Sequence, residues 1–296
     1  MTYSIVARDP DTGELGVAVQ SHWFAAGIVC WARAGVGAVA TQAMALVEHG
    51  PLGLDLMAGG ATAAEALAAR LEADPEREHR QVAMVDRRGG VAVHTGASCI
   101  REAGHRTGKG FSCQANMMRR PTVWDAMAEA FAGSSGPLAD RLLLALEAAE
   151  AEGGDIRGRQ AARLLVVRAE ATDRPWEDVL VDLRVDDHPD PLPELRRLLT
   201  LHRAYERLER AEELELAGDL EGAFAERRAA MALVPDNPEI AFWTAVSLAL
   251  AERLDEARAA LAVALPADPG WAELLRRLGE QRLMGLTPEL ASRLLA

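Results

Sequence analysis

The 296-residue chain is nearly half hydrophobic and carries a net charge of −13, which permits a sizeable core and argues against non-specific binding to nucleic acid or anionic membrane. Cys30, Cys99 and Cys113 form no CxxC and cannot all pair with one another, so no disulfide framework is expected. No charged-then-apolar leader opens the chain and no run of about 18 or more apolar residues suggests a membrane span, so the expected location is cytoplasmic.

Tyr3 to Arg8 alternates and is β-rich, Asp9 to Gly13 is a turn, and Gly16 to Ser21 is a second strand, so the pair reads as a hairpin. Ile28 to Ala32 and Val36 to Thr41 form a second pair around Gly35. Two helices follow, roughly Pro51 to Met57 and Thr62 to Glu72, the second with a Thr62–Glu65 capping box. Strands return at Gln81 to Asp86 and Val91 to His94, and Phe111 to Asn116 is another after a Gly-rich loop. Helices at Thr122 to Phe131 and Pro137 to Glu150 precede two last strands, Leu164 to Arg168 and Val179 to Val185. Strands, two helices, strands, two helices, strands is the order of a four-layer αββα sandwich with largely antiparallel sheets, an α+β class.

After Pro189 a Leu- and Arg-rich helical pattern runs from Pro193 to about Ala217. Gly218-Asp219-Leu220-Glu221-Gly222-Ala223 then matches Glu252-Arg253-Leu254-Asp255-Glu256-Ala257 at a spacing of 34, each copy leading to a Pro-containing turn. That period is the tetratricopeptide signature. Such repeats either bind a protein partner or only pack, on the first domain or on a copy in a homo-oligomer. The expected domains are 1–190 (the sandwich), 191–210 (a helical linker) and 211–296 (the repeat).

Met1-Thr2 at the mouth of the first strand is the sharpest functional signal. A small second residue favours removal of the initiator Met, which would leave a hydroxyl and a free α-amine on one residue. An α-amine titrates near pH 8, so it can serve as base for its own hydroxyl. While Met1 is attached, its peptide bond consumes that amine.

Two glycine motifs are set aside. Gly35-Val36-Gly37-Ala38-Val39-Ala40 fits a dinucleotide fingerprint but leads to β-branched sequence rather than a helix. Gly104 to Gly110 has neither the spacing nor the Ser or Thr of a phosphate loop. With no HExxH or Cys/His cluster, no metal and no cofactor is expected. His105, in the Gly-rich loop, either approaches a ligand or satisfies loop carbonyls. Asp182 and Arg184 share a strand face with Asp186 and Asp187 at its exit; they orient a substrate or form a solvated ion-pair cluster. Ser21, Thr41 and Gln42 end early strands, and Gln114 and Asn116 alternate on a later one, in a polar substrate slot or an internal hydrogen-bond set.

The blocks Thr2 to Asp9, Gly16 to Ser21, Ala34 to Gln42, His94-Thr95-Gly96, Gly104-His105, Gln114-Ala115-Asn116 and Asp182 to Pro189 together resemble domain-of-unknown-function family 1028, over roughly residues 2 to 200. The resemblance implies an N-terminal-nucleophile (Ntn) hydrolase-like sandwich and cleavage of amide-like C–N bonds. Members often carry a C-terminal helical extension, in some labelled a peptidoglycan-binding domain; the missing leader speaks against a cell-wall role. Where relatives often have Gln-Gly-Asn, this chain has Gln114-Ala115-Asn116. The expected function is an amidohydrolase acting on a small polar amide or ureido compound. Thr2 would be nucleophile, His105 and Asp182 would orient substrate or amine, and Ser21, Thr41, Gln42, Gln114, Asn116, Asp186 and Asp187 would bind substrate. Ser4, two residues on along the strand, is expected to help rather than attack. The alternative is a silent ligand-binding or scaffold domain whose helical repeat recruits a partner.

Overall fold

The computed structural model describes residues 2–296; removal of Met1, expected from the sequence, lies outside them. The chain divides into two compact units, Met1–Arg196 and Arg197–Ala296.

In the first unit, β1 (Thr2–Arg8) and β2 (Leu15–Ser21) form a hairpin, and β3 (Cys30–Arg33) and β4 (Gly37–Ala43) a second. Then come α1 (His49–Ala58), α2 (Ala63–Glu72), β5 (Arg80–Asp86), β6 (Val91–Thr95), β7 (Gly104–Gly108) and β8 (Phe111–Asn116). Helices α3 (Val123–Ala132) and α4 (Leu138–Ala151) precede β9 (Ala161–Val167) and β10 (Val179–Val185). The ten strands make a six-stranded sheet, β10-β9-β2-β1-β8-β7, and a four-stranded sheet, β3-β4-β5-β6. Every pairing within them is antiparallel.

Helix α4 lies on β1, β2 and β9 and α3 on β7 and β8, while α1 and α2 cover the smaller sheet. The inner faces of the two sheets meet through β1, β2, β4, β5 and β8. Side chains alternate faces along a strand, and this chain uses the alternation twice. Val39, Val82 and Met84 pack under α1 and α2, whereas Val6, Val17, Val19, Ala38, Ala40, Ala83, Val85 and Leu165 fill the space between the sheets. The rejected dinucleotide motif has a packing role here. A Cβ on Gly37 would sit 2.5 Å from the Val85 carbonyl oxygen, so only glycine allows this approach of β4 to β5. The Thr62–Glu65 capping box is formed at the start of α2.

One segment differs from the sequence reading. Gly104 to Gly108 is not a loop but strand β7, paired with β8 so that His105 faces Gln114 across the ladder. Gly110, at φ 77°, makes the tight return between the two strands. Glycines that read as a loop therefore serve a short edge hairpin.

The second unit is all helical. It holds most of α5 (Pro191–Leu216), then α6 (Leu220–Leu233), α7 (Pro238–Leu250), α8 (Leu254–Ala264), α9 (Gly270–Glu280) and α10 (Pro288–Leu295). Side-chain caps from Asp219, Asn237 and Thr287 start α6, α7 and α10, with proline in the first turn of the last two, where its missing N–H costs nothing. Phe224, Phe242, Leu261, Leu275 and Leu294 lie in one shared core. Among the described residues, no helix is long and apolar enough to cross a membrane.

Candidate functional site

The space between the sheets has an apolar end and a polar end. In β1, Val6 lies in the apolar core and alternation places Ser4 and Thr2 next on the same face. By the same rule Ser21 follows Val19, Gln42 follows Ala40, and Gln81 precedes Ala83. The antiparallel registers Thr2↔Ser21, Thr2↔Asn116 and Gln42↔Gln81 bring all of these to one end of the sandwich. Thr2, Ser4, Ser21, Gln42, Gln81, Gln114 and Asn116 are each buried there.

Buried amides cost several kcal/mol unless paired, and here they pair with one another. Ser4 Oγ donates to Gln42 Oε1 at 2.7 Å and accepts from Gln114 Nε2 at 2.6 Å. Ser112 Oγ donates to Gln114 Oε1 at 2.9 Å. Gln42 Nε2 donates to Gln81 Oε1 at 2.7 Å, with the carbonyls of Thr2 and Gln114 each at 3.2 Å. Asn116 Nδ2 donates to the same Gln81 Oε1 at 3.0 Å and to the Thr2 carbonyl at 3.4 Å. Gln81 Nε2 shares its two hydrogens among Thr95 Oγ1, the Ala115 carbonyl and the Gly104 carbonyl, at 2.9, 3.0 and 3.1 Å. Gln81 is thus the hub of the set, and the sequence reading missed it. Its signal is a glutamine at the head of the alternating set Gln81, Ala83, Val85, whose face is otherwise apolar.

The Thr2 carbonyl is held by Gln42 and Asn116, which orients the residue, and Thr2 Oγ1 donates to Ser21 Oγ at 3.0 Å. Thr2, Ser21 and Gln42 form the polar wall of a cavity of about 390 Å³ whose other lining includes Trp23, Ile28, Met44, Val47 and Arg80. Trp23, Ile28 and Met44 are largely exposed at its mouth.

The remaining sequence candidates are placed elsewhere. Thr41 alternates to the opposite face of β4, and its Oγ1 donates to the Leu46 carbonyl at 3.2 Å. Gln114 and Asn116 hold their amides inside the network rather than toward the cavity. His105 Nδ1 lies 2.9 Å from Thr95 Oγ1 and reaches Thr2 only through Thr95, Gln81 and the amides beyond. Partial burial and the neighbouring His94 hold its pKa below the ordinary value. With Thr95 Oγ1 accepting from Gln81, the threonine hydrogen is available to Nδ1 of a neutral ring.

Asp182 is the counter-ion of a buried arginine. Its carboxylate receives Arg163 Nε at 2.9 Å and Nη2 at 3.0 Å, and Arg184 from the outside at 3.2 Å. Burial raises its pKa, but Arg163 and then Arg184 outweigh this and hold it below the ordinary carboxylate value. Arg163 Nη1 in turn donates to the Gly27 and Cys30 carbonyls, both at 2.9 Å. Asp182 and Asp186 line a neighbouring groove of about 570 Å³, beside Trp23 and Ile28; Asp187 accepts from Gln160 at 3.1 Å. None of the three aspartates lines the cavity at Thr2.

Arg80, on the cavity wall, sits on a second buried set. Its Nε donates to Asp74 Oδ2 at 2.9 Å and its Nη1 to the Met44 carbonyl at 2.5 Å. Asp74 Oδ2 also faces His49 Nε2 at 3.1 Å, and Oδ1 accepts the Glu76 N–H at 2.9 Å. The Arg80 guanidinium, joined by Glu76 and His49 and opposed by burial, brings the Asp74 carboxyl down to about 2. Burial lowers the His49 pKa, outweighing its bond to Asp74, so the buried ring is neutral at physiological pH.

Both shifts destabilise the fold in acid. A depressed Asp74 pKa contributes stability that is complete above about pH 4 and lost as pH falls toward 2, about 2 kcal/mol in all. Neutral His49 adds an earlier loss, beginning as pH falls below its ordinary value near 6.5. Denaturant midpoints measured from pH 8 to 3 are expected to fall on acidification. In Asp74→Asn the midpoint is expected to be lower at pH 7 and the limb below about pH 4 flatter.

Among the described residues, no group of three or more His, Cys, Asp or Glu is placed to hold a metal ion. A comparison with curated proteins found no match. The profile of a tetratricopeptide repeat matches residues 214–278. A similar solved structure is that of protein SPO2555 from Silicibacter pomeroyi, described as DUF1028, with 32% identity and a TM-score of 0.60 over 67% of this chain and 84% of that one. The profile described as "Family of unknown function (DUF1028)" matches residues 2–195, about two thirds of the sequence, and the chain belongs to that family.

Proposed function

We propose that the first unit is an N-terminal-nucleophile amidohydrolase that cleaves a C–N bond of a small amide or ureido compound. The observation that carries this is the position of Thr2: first residue of β1, its carbonyl clamped by two amides and its hydroxyl on the wall of the cavity. Two stacked antiparallel sheets, each covered by a helix pair, are consistent with the four-layer αββα architecture that the resemblance implies.

In this reading Met1 is removed and the freed α-amine takes the Thr2 hydroxyl proton as Oγ1 attacks the substrate carbonyl. The C–N bond then breaks, the departing nitrogen takes that proton, and water hydrolyses the resulting ester to restore Thr2. Ser21, Thr41, Gln114 and Asn116 are the candidate oxyanion donors by residue type, and of these Ser21 borders the cavity; such a donor is typically worth about 3 kcal/mol. His105 and the amide network act at a distance, by fixing the strand that carries Thr2.

The test is a panel of ureides, carbamoyl amino acids and short amides assayed for release of ammonia or amine. Turnover by the native chain that disappears in Thr2→Ala supports the proposal; full turnover by Thr2→Ala removes the nucleophile assignment. The second reading, a silent domain with a partner-binding repeat, is favoured by the match over residues 214–278. Partner capture that survives Thr2→Ala but is lost on deleting residues after 210 would support it.

A further inference from the structure

Among the described residues, Arg80 is the one charged side chain lining the cavity at Thr2, and no step of the proposed chemistry uses it. It is also built in. Its Nε and Nη2 face both oxygens of Asp74, at 2.9 and 3.5 Å, and its Nη1 meets the Met44 carbonyl at 2.5 Å. Asp74, 3% exposed, is itself fixed by His49, which is completely buried. The contacts to Asp74 and Met44 occupy three of the five guanidinium N–H groups and leave two without a partner among the described residues.

A guanidinium locked in place, with N–H groups to spare on a cavity wall, suits a planar oxyanion better than it suits water. Around it the lining is apolar, chiefly Trp23, Ile28, Met44 and Val47. We infer that Arg80 binds the carboxylate of the substrate, which would therefore be an N-acyl or N-carbamoyl derivative of an apolar amino acid. The acyl or ureido carbonyl lies toward Thr2 and the apolar side chain against Trp23 and Met44. Asp74 and His49 are positioning residues that hold the guanidinium. This rests on the amidohydrolase reading for the placement of the carbonyl, but not for the binding of the carboxylate.

The experiment separates the two. Calorimetric titration of the full chain, as wild type and as Thr2→Ala, uses N-acetyl-L-leucine and its neutral isostere N-acetyl-L-leucinamide. The acid is expected to bind about tenfold tighter or more, and Arg80→Lys, which keeps the charge but loses the fork, to narrow that gap several-fold. Arg80→Met is expected to abolish it. If this variant fails to fold because Asp74 is left unpaired, Arg80→Lys and the acid-against-amide comparison still decide.

Equal binding of acid and amide, binding of neither, or a preference indifferent to Arg80→Lys overturns the inference. Turnover is read separately. Tight binding of the acid without hydrolysis supports the carboxylate site and counts against the hydrolase. Hydrolysis of acid and amide with equal kcat/KM overturns the carboxylate site and leaves the hydrolase standing.

Discussion

Thr2→Ala is expected to reduce turnover of a cleaved amide by at least about a thousandfold, since removing an activated nucleophile leaves only binding and electrostatic contributions to the rate. The same substitution is expected to lower stability by only about 1 kcal/mol. The lost hydroxyl makes one neutral hydrogen bond, to Ser21 at 3.0 Å, while the carbonyl held by Gln42 and Asn116 belongs to the backbone and stays. Thr2→Ser, which retains a hydroxyl and an α-amine, is expected to keep measurable activity. A large kinetic loss paired with a small shift in denaturant midpoint would distinguish a catalytic threonine from a structural one. Equal losses in Thr2→Ala and Thr2→Ser would point to strand-end packing instead.

Gln81→Leu is expected to destabilise the first unit by about 3–5 kcal/mol, the range of a broken buried polar network. The substitution conserves much of the volume but removes the acceptor used by Gln42 and Asn116. It also removes the donor to Thr95 and to the Gly104 and Ala115 carbonyls, so polar groups on β4, β6, β7 and β8 lose a partner at once. Thr41→Val is the contrasting control. Its hydroxyl makes a single bond, to the Leu46 carbonyl, on the other face of β4, and the expected loss is about 1 kcal/mol with unchanged turnover. Urea titration followed by circular dichroism measures both; a comparable loss in the two variants would contradict the hub role of Gln81.

The fold was legible because the sequence signals were local. Alternation in Tyr3–Arg8, the turn at Asp9–Gly13 and the Thr62–Glu65 box each reports on a few neighbouring residues, and each has its counterpart in β1, the first hairpin and α2. The edge strand β7 was hidden because its glycines carry a loop signature, and only pairing with β8 reveals the hairpin. The polar residues Ser21, Gln42, Gln114 and Asn116 were individually conspicuous as amides and hydroxyls on β-rich segments. Local alternation puts Thr41 and Gln42 on opposite faces of β4, but which of those faces meets Ser21, Gln81 and Asn116 depends on pairing between strands far apart in sequence.

Distance in sequence also explains the residues that went unnoticed. Asp74 and His49 look like ordinary helix-flanking residues until folding brings His49 and Arg80 to the same Asp74 carboxylate. Asp182 drew attention as part of a dense charged run, yet its partner Arg163 lies on the adjacent strand, and the half-buried pair lines a different groove. Charge density along a sequence is a poor guide to a site when the compensating charge comes from elsewhere in the fold.

The chemistry assigned to Thr2 depends on a free α-amine, and intact-protein mass spectrometry of the chain purified from its native source tests that most directly. A mass lacking the initiator methionine, with Thr2 as the first residue, is the expected result. Quantitative retention of Met1 would contradict it, because an acylated Thr2 nitrogen cannot act as the base.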